Sequence, residues 1–520
     1  MNQLQSRLPL QVYWLDEAGD EHAGGTTVGG QSVEVPEADL WFVEPRAEMH
    51  AADWDELVAQ VRALRIPGLR SGGYFSDYHL GRIGELSELV YLDLSSWNAG
   101  ITDAGLQCLF LLGKLQYLNL NLNSANNADN LVPAVVSDVG LEGLRFLPRL
   151  TDLRLDNLFS VTDRGIANLK GHRHLRTVTF DCTMAGDGAL EILSGKEGLS
   201  HIHVGPMVTD RGLACLRDYP GLRTGGQATL NLSRCYGITD AGLAHLSDLH
   251  GVRSLNLAEA RLLNRWASHM PAEVDGRPKY TAAGIGYLGQ MAGLQEVQLC
   301  GAKLDDAVMA AIGQLPHLTS LSCGGAVATD EGFKALAECA SLERLMAYSC
   351  HGLGSEGIVA LAGLPRLQFF YVGGHRLDDE ALSGLCGFGA LTEFWTGNDN
   401  IFTDEAFAHI AKAPQLDRLL NMYCPTTGDR STEYVVTASK LRRYSILSAG
   451  ITDYSFELLA QMEALEYVVC QNVQGITDSG LQRLTQAPRL RHLQVHGCAQ
   501  ISAEGAAAIG GQIQVDFRAR

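Results

Sequence analysis

The sequence predicts an α/β solenoid in which short units, each a helix followed by a strand, stack into a parallel sheet on one side and helices on the other. Three observations predict it. A tripeptide recurs, as ITD at Ile101, Ile238, Ile451 and Ile476, VTD at Val161 and Val208, ATD at Ala328 and FTD at Phe402. Its spacing is regular: from Asp305 the equivalent positions are Thr329, Ser355, Asp378 and Thr403, steps of 24, 26, 23 and 25 residues. Each copy also joins two hydrophobic periods across a proline, as in GITDSGLQRLTQAPRLRHLQVHGC from Gly475 to Cys498.

The first element of that unit is a short helix. The Thr477 hydroxyl can accept from the amides of the next turn, and Leu481 and Leu484 lie three apart on one helical face. The second element is a strand: Leu493 and Val495 are two apart on one face, while His492, Gln494 and His496 point the other way. A unit this small cannot bury its apolar side alone, so neighbours must stack. About 17 strands can be placed, from Val90–Ser95 to Ile513–Phe517.

Before the repeat, residues 1–50 form an acidic, β-rich cap. Gln11–Leu15, Gly25–Val35 and Asp39–Glu44 have strand composition, and DEAGDEHAGG is expected to turn. A helix over Ala51–Leu64 leads into the solenoid of residues 51–520, and such a cap shields the end of the core.

Composition narrows the function. The 520 residues are 46% hydrophobic with 59 acidic and 40 basic side chains, a net charge of −19. Mean hydropathy is zero. The first 60 residues hold 12 Asp/Glu against 2 Lys/Arg, a balance that disfavours duplex nucleic acid and anionic lipid as partners. No cationic leader and no apolar run of 18 residues is found, so a cytoplasmic protein off the membrane is expected. Twelve cysteines without a CxxC pair read as reduced thiols.

The run LxxLxLxxC, in ATLNLSRC to Cys235, LERLMAYSC to Cys350, LDRLLNMYC to Cys424 and LRHLQVHGC to Cys498, resembles the cysteine-containing, ribonuclease-inhibitor-like class of leucine-rich repeat. Asn123 takes the same place in LQYLNLNLN. The class includes F-box and bacterial leucine-rich repeat proteins, and the resemblance covers residues 64–520. It implies a horseshoe with the sheet concave and the helices convex. It also implies that the four cysteines hydrogen-bond loop backbone, and it says little about function. LPLQVYWLD begins with Leu-Pro as an F-box can, but strands and glycines follow, so no F-box is recognised.

No GxSxG, HExxH or P-loop pattern occurs, and no catalytic residue, cofactor or metal is expected. His201 and His203 alternate on one strand but lack a third ligand. His172 and His174 in GHRHL are expected to face solvent.

Function should therefore lie on the open face of the sheet. Its N-terminal positions are polar or charged: Tyr91, Asp93, Asn119, Asp152, Arg154, Asp156, Thr179, Asp181, His201 and His203. Its C-terminal positions are large and apolar: Met346, Tyr348, Phe369, Tyr371, Trp395, Leu420, Met422 and Tyr467, with Leu447, Val469 and the charged Arg344, Glu393 and Arg418 among them. A patch of this kind points to a protein partner. A one-residue register slip would instead send these side chains into the core. Insertions near 124–136, 259–280 and 425–434 should project from one edge as recognition loops or as tolerated drift. The second carries Arg261, Arg265 and Trp266.

The expectation is a non-catalytic recognition scaffold that uses the concave face and edge loops. Alternatives are a sensor or effector with its output in the N-terminal module, and a substrate-recognition subunit of a ubiquitin-ligase-like complex. A monomer is expected, with pairing of two C-terminal edge strands as the dimeric alternative.

Overall fold

The computed structural model describes all residues except 1, 17, 36, 39, 96–99, 122–135, 259–278, 302–303, 375–376, 398–401, 423–425, 510–512 and 519–520. The chain divides into two units. One comprises residues 1–256, 261–280 and 290–293, the other residues 257–260, 281–289 and 294–520. Both are α/β leucine-rich repeat stacks.

In the second unit, parallel strands pair in sequence order from Glu296–Gln298 through Ser320–Ser322, Arg344–Ala347, Phe369–Val372, Glu393–Gly397, Arg418–Met422, Arg443–Leu447, Tyr467–Gln471 and His492–His496 to Gln514–Arg518. Every strand runs the same way because a helical turn carries the chain back between neighbours. That turn is α-helical in Asp330–Leu336 and Asp478–Leu484 and 3-10 in Glu380–Gly387. The core lies between sheet and helices. Leu481, Leu484, Leu493 and Val495 of one layer are all buried, each contributing on the order of 1.5–3 kcal/mol.

The first unit repeats this ladder from Gly68–Arg70 to Val252–Asn256, and the ladder continues into the N-terminal residues. Leu40–Pro45 pairs parallel with Gly68–Arg70 across the helix Ala51–Leu64, and antiparallel with Leu10–Leu15. Asn2–Gln5 and Ser32–Val35 form a separate antiparallel pair. At the start of the stretch expected to turn, the Asp16 carboxylate accepts from the Ala18 and Asp20 amides. Glu21–Thr26 is a strand instead, paired with Leu10–Leu15. Its Gly24 and Gly25 leave room for the side chains of Trp14 and Val33, which a Cβ would meet at 3.3 and 2.8 Å.

Two expectations about loops change. His172 is 2% exposed, packed under its turn rather than facing solvent, while His174 is exposed. The segment near 425–434 is the ordinary convex side of its repeat: Asp429–Val435 is a helix, entered through Gly428, whose amide donates to Asp404 Oδ1 at 2.6 Å. Thr432 is buried where Leu481 stands in a later unit, and Ser431 where Gly480 stands, which hides the helical period. The insertions near 124–136 and 259–280 lie almost wholly outside the described residues.

The ITD motif builds a ladder of its own along the helix starts. Thr477 Oγ accepts from the Ser479 amide, capping its helix, and donates to Asp453 Oδ2 of the preceding repeat at 2.6 Å. The Thr477 amide donates to Asp453 Oδ1 at 2.8 Å. The same carboxylate bridge joins Asp138 to Thr162, Asp210 to Thr239, Asp306 to Thr329 and Asp478 to Ser502.

Candidate recognition face

Alternation along each strand sorts its side chains onto two faces. Leu345, Phe370, Phe394, Leu419, Tyr444, Val468 and Leu493 enter the core of the second unit, and their neighbours stand on the open face. Strand register aligns those neighbours in rows. The first row runs Arg344, Phe369, Glu393, Arg418, Arg443, Tyr467 and His492; the second runs Met346, Tyr371, Trp395, Leu420, Ser445, Val469 and Gln494. Met422 and Leu447 pair in a third.

The middle of the second row is continuous apolar surface. Met346, Tyr371, Trp395 and Leu420 are half-buried in consecutive strands. Tyr348 stacks on Tyr371 with 5.6 Å between ring centroids, and Tyr371 meets Trp395 at 5.9 Å. Trp395 is held by its Nε1, which donates to Glu393 Oε1 at 2.8 Å. Gly324 lets Tyr348 lie over the neighbouring repeat, since a Cβ there would sit 2.1 Å from the ring. The Tyr348 hydroxyl lies 3.1 Å from Cys300 Sγ. The stacking and the Trp395 hydrogen bond hold these rings in fixed orientations.

Phe369 differs from the expectation that it is part of the contact surface. It is on the open side of the sheet but 1% exposed. The Arg344 guanidinium lies over its ring at 4.1 Å, and Trp395 packs edge-on at 5.0 Å. It is therefore a platform for Arg344. Arg443 is mounted likewise over Tyr467 at 4.3 Å, and Tyr467 stacks on His492. Arg261, Arg265 and Trp266 lie outside the described residues.

The first unit corrects the expectation of a polar N-terminal face. Tyr13, Phe42, Tyr91 and Tyr117 form a stack with centroid distances of 5.3, 4.5 and 4.2 Å, and Arg70 lies over the first two rings. Gly68 makes the stack possible, because a Cβ there would come within 2.5 Å of Phe42 Cβ. Tyr91 is only 3% exposed, and burial raises its pKa. Reading residues 1–50 as a separate cap hid this row, since Tyr13 and Phe42 arrive from strands of that segment. Arg70 is engaged by Glu21, Glu44 and Asp93.

Farther along the first unit the face is polar. His203 lies 3.6 Å from Asp181 and 3.9 Å from Asp156, and Arg234 forms an ion pair with Asp181. Burial raises the Asp181 pKa, opposed by His203 and Arg234. Among the described residues no group of three or more His, Cys, Asp or Glu could hold a metal ion.

Cys235, Cys350 and Cys498 sit in the turns after their strands. Cys235 Sγ donates to the Gly205 carbonyl at 3.3 Å and Cys350 Sγ to the Cys323 carbonyl at 3.3 Å; Cys498 Sγ is 3.7 Å from the Cys470 carbonyl. Each follows a residue with positive φ, Arg234, Ser349 and Gly497. Burial, with Asp181 and Asp187 adding to it, raises the Cys235 thiol, which disfavours a reactive thiolate. Cys424 and Asn123 lie outside the described residues.

No family profile and no curated protein matches the chain. Among solved structures it is similar to a TLR13–ssRNA13 complex, at a TM-score of 0.47 and 16% identity over 83% of this chain and 62% of that one. It thus spans less than two thirds of that chain's length. It is similar to the yeast Rad7 and Elc1 complex, at a TM-score of 0.38 and 15% identity over 90% and 92% of the two chains. An internalin (inlF) from Listeria monocytogenes str. 4b F2365 gives a TM-score of 0.32 and 17% identity over 80% and 89%. At this level of similarity the assignment of fold rests on the ladder and the repeat themselves. Among the described residues no helix is long and apolar enough to cross a membrane.

Proposed function

We propose that the chain is a non-catalytic recognition scaffold that binds a protein partner on the open face of the second unit. One observation carries this: Met346, Tyr371, Trp395 and Leu420 stand half-buried in register on consecutive strands. Large aromatic and sulfur side chains held rigidly in a row supply contact area at low entropic cost, and Trp, Tyr and Arg dominate binding hot spots. The turn cysteines support placement in the cysteine-containing repeat class, and twelve cysteines without a CxxC pair support a reducing, cytoplasmic setting.

The test is the double variant Tyr371→Ala with Trp395→Ala. Quantitative affinity capture from the native source should recover partner with the parent chain and at least tenfold less with the variant, while the melting temperature changes by only a few degrees. Equal recovery from a folded variant would remove the face from consideration.

A further inference from the structure

We infer that the face takes an extended acidic and apolar peptide segment, with two carboxylates about six residues apart gripped by Arg344 and Arg443. This rests on the reading of the face given above and names the chemistry of its partner. The guanidinium carbons of Arg344 and Arg443 lie over the Phe369 and Tyr467 rings, 4.1 and 4.3 Å from the centroids. Both arginines are exposed, and among the described residues neither meets a carboxylate or donates a side-chain hydrogen bond. Stacking on a ring fixes the plane of a guanidinium and leaves its in-plane N–H groups free, the geometry for bidentate grip of a carboxylate. The arginine between them is different: Arg418 is 3.8 Å from Glu393 and 3.6 Å from Asp417.

The position of the pair is informative in a chain of net charge −19. Arg344 and Arg443 occupy the same row four strands apart, about 19 Å at the usual strand spacing of about 4.8 Å. Extended backbone covers that distance in about six residues at about 3.3 Å each, so acidic residues at positions i and i+6 point to the same side. Apolar residues at i+2 and i+4 would then fall beside Tyr371, Trp395 and Leu420 of the adjacent row. The row borders a shallow cleft lined by Arg344, Phe369, Glu393, Asp417, Arg418 and Arg442, in which Asp417 pairs with Arg418 and Arg442.

The probe is the labelled, end-blocked peptide Glu-Gly-Leu-Gly-Phe-Gly-Glu, titrated against the full chain by fluorescence anisotropy. Binding should weaken at least tenfold when both Glu are replaced by Lys, and at least tenfold in the variant Arg344→Gln with Arg443→Gln, checked for an unchanged thermal melt. No binding by the acidic peptide, equal binding by its Lys counterpart, or no effect of the double Arg variant would overturn the inference. So would tighter binding by a ten-nucleotide single-stranded oligonucleotide. Failure here with loss of partner capture in the Tyr371→Ala, Trp395→Ala variant would sink only the acidic-peptide reading. If neither variant changes capture, the recognition face itself falls.

Discussion

Asp429, at the first position of its helix, accepts from Ser455 Oγ at 2.6 Å, from the Thr452 amide at 2.8 Å and from Thr452 Oγ at 2.6 Å. Burial raises its pKa, but these hydrogen bonds outweigh that effect and hold it below the usual value. A carboxylate depressed in the folded state contributes stability above the unfolded value, about 4, and loses it as pH falls through the folded one. Ser455→Ala should therefore lower the melting temperature at pH 7, with a gap to the parent that shrinks below about pH 4. A constant gap from pH 7 to pH 3 would show that Ser455 acts by packing alone. Most repeats have glycine in that place, because the preceding aspartate crowds it: a Cβ at Gly480 would lie 2.2 Å from Asp453 Oδ1. The ITD-x-G spelling is legible in the sequence, and the Thr cap follows from it. That Asp reaches the next repeat does not follow, because the partner is 24 residues away and only stacking brings it near.

At the scale of the element, the helix starts at Thr162, Thr239, Thr452 and Thr477 have two supports, the internal threonine cap and the aspartate of the preceding repeat. Thr477 serves both, accepting from Ser479 and donating to Asp453. Thr477→Ala should cost about 1–2 kcal/mol in urea unfolding, and a change under about 0.3 kcal/mol would mean water replaces both contacts. The strands behave differently. Their period of two places Met346, Tyr371, Trp395 and Leu420 opposite the core residues, so the register on which the candidate face depends was readable from spacing alone. Phe369 obeyed the same period and still ended up covered, because side chains from the neighbouring strands, Arg344 and Trp395, pack against a position that alternation leaves open. The convex element Asp429–Val435 was illegible for the opposite reason: Thr432 replaces a leucine of the helical period and Ser431 the marker glycine.

At the scale of the molecule, a stack of repeats has mostly nearest-neighbour contacts, and local damage should remain local. Gly480→Val, which forces a side chain against Asp453, should raise amide exchange in peptides spanning residues 451–496 several-fold. Exchange in the strands Asp152–Arg154 and Thr177–Thr179 should stay as in the parent. Equal loss of protection in both regions would mean that the chain unfolds as one cooperative block. The repeat period, the helix and strand halves, the turn cysteines and the open-face register are all determined by local sequence, since each depends on residues within one unit of about 24. Stacking of the repeats sets what the faces carry: the Tyr13, Phe42, Tyr91 and Tyr117 stack, the two ring-mounted arginines, and the inter-repeat aspartate ladder. Each is a contact between residues one or more repeats apart, made at the distance between neighbouring strands, and no spacing within a single unit encodes it.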